Sequence, residues 1–438
     1  MTSTALPLLD RAPLHTPIAW RGGQGVSRAL FMQHIACIAR ALPAARFLLN
    51  LCEDRYLFLA AFAAVGANGQ TNLLPSSRAE LHVRRLADLY PDSASIGDGD
   101  IKRWLQADDA DPLVPAIPRI ASDHLMAIAF TSGSTGQATS HPKTWGELVS
   151  GARQAQQRFG FDQSMTLVAT VPPQHMYGLE TSVMTVLASG ACVHSGRPFF
   201  PEDIRAALAA ATAPRVLVTT PIHLQACMQA ELSWPQPAFV LSATAPLAAP
   251  LAAQAEAAFH APVLEIYGCT EAGSIASRRT LDGDHWRLYD GFQLCGSVLS
   301  GAHLPEPVPL HDIIEPGNDG QFRLLGRQED LINIAGKRAS LAALNQQLAE
   351  IEGVVEGLFL PPDEADPESQ RLWAVVVAPG LSERQLIAAL ALRLDPVFLP
   401  RPLLKVTALP RNETGKVTRE ALRTLLRPAS SSHAPSSA

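Results

Sequence analysis

The 438-residue chain has few cysteines, and none of the six falls in a CxxC pair or beside histidines at zinc-ligand spacing. Cys37, Cys52, Cys192, Cys227, Cys269 and Cys295 are scattered, which argues against a disulfide-stapled domain and for a reduced, cytoplasmic protein. Long hydrophobic runs are also missing. The most apolar stretch, 57–67, ends at Asn68, well short of the roughly 20 residues a membrane span requires, and reads as a buried helix. Asp10 and Arg11 interrupt the region where an export signal would be apolar, so no export is expected. There is no basic excess: 35 Lys and Arg against 41 Asp and Glu give −6, which excludes the electrostatic footprint of a nucleic-acid binder. Charged residues reach only 17% and aromatics 6%, whereas 47% of the chain is hydrophobic. Disorder and fibrous architectures are thereby excluded, and a well-filled globular core is expected.

The length suggests two domains. Between residues 125 and 268 short apolar runs alternate with helical segments. LMAIAF, TLVAT, RVLVTT, AFVLSAT and VLEIYG read as strands; 180–188, 202–211 and 247–259 read as helices. This alternation predicts an α/β fold of layered, largely parallel sheets with flanking helices, which binds ligands beyond the carboxyl ends of its strands. After Gly326 a smaller α+β unit follows, with helices over 340–351 and 383–392. The expected division is 1–326, 327–427 and a Ser/Pro/Ala-rich tail, 428–438, expected to be disordered.

Polar segments follow those strand ends. Thr131-Ser132-Gly133-Ser134-Thr135-Gly136 offers inward-turning backbone N–H groups and four hydroxyls, the combination that wraps a phosphate chain; the alternative is a flexible turn. It is not a GxxxxGK[ST] loop, so ordinary nucleoside-triphosphatase chemistry is disfavoured. Tyr267-Gly268-Cys269-Thr270-Glu271 ends another strand. Glu271 there is either an oxygen ligand for Mg²⁺ or an exposed helix-start glutamate. Asp312 and, fifteen residues on, Arg327 suit ribose hydroxyls or phosphate oxygens, with surface ion pairing as the alternative. His175 follows Pro172-Pro173 past a strand end and borders the same cleft, unless it is simply structural. Lys416, in LPRNETGK, is a lone lysine on a turn.

In order and spacing these segments resemble the acyl-adenylate-forming superfamily: acyl-CoA synthetases, aryl-CoA ligases, adenylation domains and luciferases. The resemblance runs from about residue 50 to 426. The 131–136 loop resembles the family's phosphate loop, and SATAPL, with Thr244 and Ala245, its adenine-binding SGGAPL segment. YGCTE matches YGxTE; HDIIEP is similar to the ribose-aspartate segment, GRQEDLINIAGKR to the hinge GRxDDxIxxxGxR, and LPRNETGKVTR to LPRTxxGKxxR.

The resemblance implies an ATP- and Mg²⁺-dependent ligase. A carboxylate attacks the α-phosphate of ATP, pyrophosphate leaves, and the acyl group of the acyl-AMP passes to a thiol of coenzyme A or of a carrier protein's phosphopantetheine. It assigns Lys416 as the bridging cation, Glu271 as the Mg²⁺ ligand with Thr135 assisting, and Thr270 to the α-phosphate. Tyr267 would stack near adenine beside Gly268, Asp312 and Arg327 would hold ribose, and His175 would gate the acid pocket. It also implies a mobile C-terminal domain hinged at Glu329 and Asp330, which inserts Lys416 for the first step and the loop at Gly336 for the second.

The chain departs from the pattern in places. Gln137-Ala138-Thr139-Ser140-His141-Pro142-Lys143 stands where Pro-Lys-Gly is usual, so Lys143 either substitutes for the missing lysine or caps the next helix. The compact build and the TSGSTG…HPKTW variation resemble short ligases of aryl-polyene and xanthomonadin-type pigment pathways, which load hydroxybenzoate-like acids onto acyl carrier protein. An aromatic acid and a carrier-protein acceptor are therefore favoured, and Met176, Tyr177 and Cys269 suit a flat acid. The rival reading is a non-catalytic member of the same fold that binds nucleotide or acyl ligand.

Overall fold

A computed structural model describes residues 4–10, 12–107, 114–132, 138–301, 303–327, 331–334, 337–361, 371–411, 417 and 422. The 428–438 tail lies outside them. The chain divides into two compact units: Met1–Leu294 with Leu299–Val308, and Cys295–Val298 with Pro309–Ala438.

The first unit is layered. In its larger sheet the strands Val263–Cys269, Phe239–Ser242, Arg215–Thr219, Thr166–Ala169, Cys192–His194 and Pro17–Arg21 lie side by side and parallel. Antiparallel neighbours, Gly273–Arg279 and Gln24–Ser27, flank that run. TLVA, RVLVT and FVLS read as unbroken apolar runs because both faces of the sheet are covered. Alternate side chains leave opposite faces. Leu167, Ala169, Val216, Val218 and Leu241 enter one core cluster. Val168, Leu217 and Val240 enter another, under the helices Pro201–Ala210, Pro221–Gln229 and Ala249–Phe259.

The first of those clusters continues into a second sheet, ordered Ser93–Ile96, Phe47–Asn50, Thr71–Leu74, Leu125–Ser132, Ala138–Thr144. All its pairs are parallel except the last. The helix Arg55–Ala67 belongs to the same cluster and is buried at every position from Arg55 to Gly66, as the 57–67 run predicts. Asp54 caps it by accepting the Tyr56 and Leu57 N–H groups. Arg55, fully buried, donates to the Ala169 and Val171 carbonyls at 2.9 and 2.7 Å and to Ser182 Oγ at 2.6 Å. Burial lowers its pKa to about 9, and these acceptors fix the helix to a strand's carboxyl end.

The segment expected as one helix over 180–188 is Met176–Leu179, a π-turn Glu180–Met184 and Thr185–Ser189. The widened turn starts at Glu180, whose carbonyl accepts the Thr185 hydroxyl at 2.8 Å.

The second unit has its own core, from Ile332 to Leu403. Helices Leu341–Ala349 and Glu383–Ala391 pack with a sheet of Glu356–Leu360, Trp373–Val377 and Leu403–Lys405. Two hairpins, Asp312–Pro316 with Gln321–Arg327 and Leu331–Ile334 with Lys337–Ser340, complete it.

Candidate active site

The YGCTE segment does not lead into a helix. Val263–Cys269 turns back antiparallel as Gly273–Arg279, with Cys269 opposite Gly273, so Thr270 and Glu271 form the tip of a tight hairpin. The helix-start reading of Glu271 is thereby corrected. The hairpin's two glycines are dictated by contact. A Cβ on Gly268 would lie 2.2 Å from the Gly273 carbonyl oxygen, and one on Gly273, whose φ is +77°, would lie 2.2 Å from Glu180 Oε1. The Glu271 side chain is 48% exposed and therefore available to a ligand.

What aims Glu271 is the strand that replaces the usual Pro-Lys-Gly. Ala138–Thr144 returns from the 131–136 loop beside Leu125–Ser132, with Thr131 opposite Thr139 and Ala129 opposite His141. Lys143, buried, donates its Nζ hydrogen to the Glu271 carbonyl. His141 bridges the loop and the hairpin, with Nε2 3.0 Å from Thr131 Oγ1 and Nδ1 3.6 Å from Glu271 Oε1. Burial lowers the His141 pKa; Glu271 opposes that shift and Lys143 adds to it. The helix Trp145–Phe159 is capped without Lys143: Thr144 and Glu147 form a capping box, with Glu147 accepting the Thr144 N–H at 2.7 Å. Lys143 is thus the tie of the Glu271 turn, not a helix cap.

Behind the tip lies a small, shallow cleft lined among others by Lys143, Leu148, Met176, Glu180, Gly273 and His303. Glu180 accepts Ser274 N–H at 3.1 Å and Ser274 Oγ–H at 2.6 Å. Burial raises its pKa against those hydrogen bonds and the Lys143 charge. Burial also lowers the His303 pKa, and its ring stands edge-on to Phe292 at 4.8 Å. His175 is half-buried at the start of Met176–Leu179; its neighbour Met176 lines the cleft, while His175 is not among the lining residues. Tyr177 donates its hydroxyl to the Leu241 carbonyl at 3.0 Å, which spends it on the sheet. Burial pushes the Cys269 thiol up to about 12, so it stays protonated and is no nucleophile.

The segment that follows Phe239–Ser242 exposes Thr244 and Ala245. Thr244 holds φ at +80°. Two residues past Ala245, Leu247 N–H donates to Glu265 Oε1 at 3.0 Å, and buried Glu265 is fixed in turn by Arg278 at 2.6 Å and Thr280 at 2.7 Å. The Tyr267 ring lies 5.7 Å from Trp286, and Gly268 is exposed beside it. In the second unit Asp312 and Arg327 are direct cross-strand partners, so the fifteen-residue spacing is a hairpin register. Ser132 is described as strand backbone, paired with Ala138. Gly133, Ser134, Thr135, Gly136, Lys416, the hinge pair Glu329 and Asp330, and Gly336 lie outside the described residues.

Sequence reasoning missed Glu180, His303 and Glu265, and noted His141 only as part of a departure. The only sequence signal was His141 and Lys143 at i and i+2, which puts both on one face of a strand.

The AMP-binding enzyme family pattern matches residues 38–302, and the chain belongs to that family, within the acyl-adenylate-forming superfamily its motifs resemble. Among curated relatives, a 4-coumarate–CoA ligase of Rhodobacter capsulatus is 28% identical over 302 residues, 67% of this chain and 75% of the relative. A 3,4-dihydroxybenzoate–[aryl-carrier protein] ligase of Bacillus anthracis is 22% identical over 318 residues, 67% of this chain and 73% of the relative. Among solved structures, o-succinylbenzoate CoA synthetase of Bacillus subtilis with its acyl-adenylate intermediate superimposes with a TM-score of 0.81 at 16% identity, over 97% of this chain and 99% of that one. ATP-bound MatB of Rhodopseudomonas palustris gives 0.79 at 18% identity, over 95% and 97%.

Proposed function

We propose that this protein is an AMP-forming carboxylate ligase, which joins an acid, aromatic by preference, to the α-phosphate of ATP and passes the acyl group to a pantetheine thiol. A carrier protein is the favoured acceptor and coenzyme A the alternative; the relatives include ligases named for each. The observation that carries the reading is Glu271. It stands half-exposed on a hairpin tip tied by Lys143 to the strand that follows the 131–136 loop, with the His141 ring 3.6 Å from its carboxylate, and the cleft begins at the next residues, Ala272 and Gly273.

The chemistry asks two anions to meet, so neutralisation and alignment are what the protein supplies. Among the described residues no cluster of three or more His, Cys, Asp or Glu could cage a metal. A single half-exposed carboxylate fits Mg²⁺, which takes one or two protein carboxylates and completes its shell with phosphate oxygens and water. Glu271, with Thr135, would hold it, and when bound it would neutralise charge on the polyphosphate. Thr131, Ser132, Gly133, Ser134 and Gly136 would cradle the phosphates, and Thr270 would contact the α-phosphate. Thr244, Ala245, Tyr267 and Gly268 would border adenine, Asp312 and Arg327 the ribose, and His175 the acid's entry. Lys416, on a C-terminal domain spanning 327–427, would bridge the carboxylate and the α-phosphate.

The test separates the two steps. Lys416→Ala is expected to lower adenylate formation by about 10² to 10³, the loss typical of one strong transition-state contact. It is expected to leave consumption of preformed acyl-AMP by thiol intact. Near-normal adenylation in that variant would remove the assignment.

A further inference from the structure

We propose that Arg278 is a positioning residue for the purine base of the nucleotide, acting through Glu265 on the 243–247 segment and through Trp286 on the Tyr267 ring. The inference rests on the reading above in which those two segments border the base, and it concerns a side chain that itself touches no ligand.

The 243–247 segment is an arch with two fixed feet. One foot is the end of the strand Phe239–Ser242; the other is buried Leu247, whose N–H donates to Glu265 Oε1 at 3.0 Å. Thr244 and Ala245, at the crown, are exposed and available to a ligand. Glu265 lies on the next strand, opposite Ser242 on one side and Arg278 on the other, and Tyr267 follows it by two residues on the same face. The second carboxylate oxygen, Oε2, takes Nε and Nη2 of Arg278, both at 2.6 Å, and the Thr280 hydroxyl at 2.7 Å. A buried carboxylate engaged at both oxygens is a fixed support for the arch and not a contact for the nucleotide.

Arg278 carries that support to the second segment. Its guanidinium carbon stands 4.6 Å from the centroid of the Trp286 ring, on the strand His285–Leu288, and that ring lies 5.7 Å from Tyr267 at an angle of 56°. A planar guanidinium can face an indole and place two N–H groups on a carboxylate at once, which a lysine ammonium cannot. Both borders of the base therefore depend on one side chain: Leu247 through Glu265, and Tyr267 through Trp286. A pair serving only to join two strands would need neither the Leu247 N–H nor the indole face. A buried ion pair adds little net stability, whereas removing one partner is costly, so what this one confers is geometry.

The experiment is calorimetric titration of AMP into wild type, Arg278→Lys, Trp286→Leu and the double variant, with the KM for ATP and kcat of acid-dependent pyrophosphate release measured alongside. Arg278→Lys keeps a charge beside Glu265 and loses the flat contact with Trp286. AMP binding is expected to weaken about 10-fold in each single variant. The double variant is expected to bind no more than about twofold more weakly than the worse single one, because both act along one route. The KM for ATP is expected to rise by a similar factor with kcat within about twofold, whereas general loosening of the fold would lower kcat as well. Unchanged AMP affinity in a folded Arg278→Lys would overturn the proposal. So would independent effects that multiply to about 100-fold in the double variant, or a fall in kcat with KM unchanged. If one single variant does not fold, the other decides alone. Nucleotide binding by wild type without pyrophosphate release from any acid would overturn the ligase reading, and the AMP titrations would still decide this proposal. No binding of AMP or ATP to wild type would overturn both.

Discussion

Thr244 places a β-branched side chain at φ +80°, where such residues are outliers held only by their surroundings. The strain is confined to the exposed segment that enters the Leu247–Glu265 hydrogen bond, and glycine would relieve it. Thr244→Gly is therefore expected to stabilise the protein by about 1 kcal/mol, relief of φ strain outweighing the added freedom of the unfolded chain. Urea denaturation of the pair would check this, and a loss of stability would show that threonine makes a compensating contact. At this scale the sequence was legible wherever a residue's role follows from its own chemistry and chain neighbours. Thr270 and Glu271 stand out in YGCTE, and Asp312 and Arg327 by residue type; the first pair falls at a hairpin tip and the second on facing strands. The placement of Glu180 was not legible, since Ser274, whose N–H and hydroxyl it accepts, lies 94 positions away.

The Val263–Cys269 and Gly273–Arg279 hairpin is the element on which the site depends, because its tip, its backbone tie to Lys143 and the cleft wall are one continuous piece. Gly273→Ala combines a left-handed φ with a methyl group driven against Glu180 Oε1. A loss of at least about 2 kcal/mol is expected. Thermal unfolding would measure it, and a shift of under a degree would mean that the turn is not constrained as described. The parallel strands were legible as apolar runs, and helix 57–67 by its composition. The return strand Ala138–Thr144 was not, because ATSHPKT lacks any strand periodicity and is held by its antiparallel pairing to Leu125–Ser132. The π-turn at Glu180 was equally hidden, since one extra residue in a turn leaves the apolar spacing of ETSVM almost unchanged.

Across the whole molecule, burial keeps several histidines neutral. His34, His194 and His223 all have lowered pKa values, His223 down to about 4, chiefly by burial and secondarily by the Arg197 charge. His223 Nδ1 lies 2.8 Å from Thr220 Oγ1 and its ring is edge-on to Phe199 at 5.3 Å. Between pH 6.5 and 4 the unfolded chain takes up a proton at this position that the folded one refuses, so stability falls as pH falls. The His223 contribution is fully present above pH 6.5, and about 3 kcal/mol is lost once pH passes below 4. Asp10 and Glu180, whose pKa values burial raises, act in the opposite sense. The difference between wild type and His223→Asn therefore isolates the effect: denaturation midpoints at pH 7 and 4.5 are expected to differ less in the variant, and identical pH dependence would refute it.

The layered α/β architecture and the separate C-terminal core followed from the alternation of runs before and after Gly326, whereas the order of strands within each sheet depended on long-range pairing that no local segment encodes. The most direct measurement of what this molecule does is acid-dependent exchange of labelled pyrophosphate into ATP with Mg²⁺ and no thiol present. An AMP-forming ligase is expected to exchange label only when its acid is supplied, and Glu271→Gln to slow that exchange and raise the Mg²⁺ needed for it. ATP binding without exchange for any aromatic or aliphatic acid would contradict the ligase and leave a nucleotide-binding protein in its place.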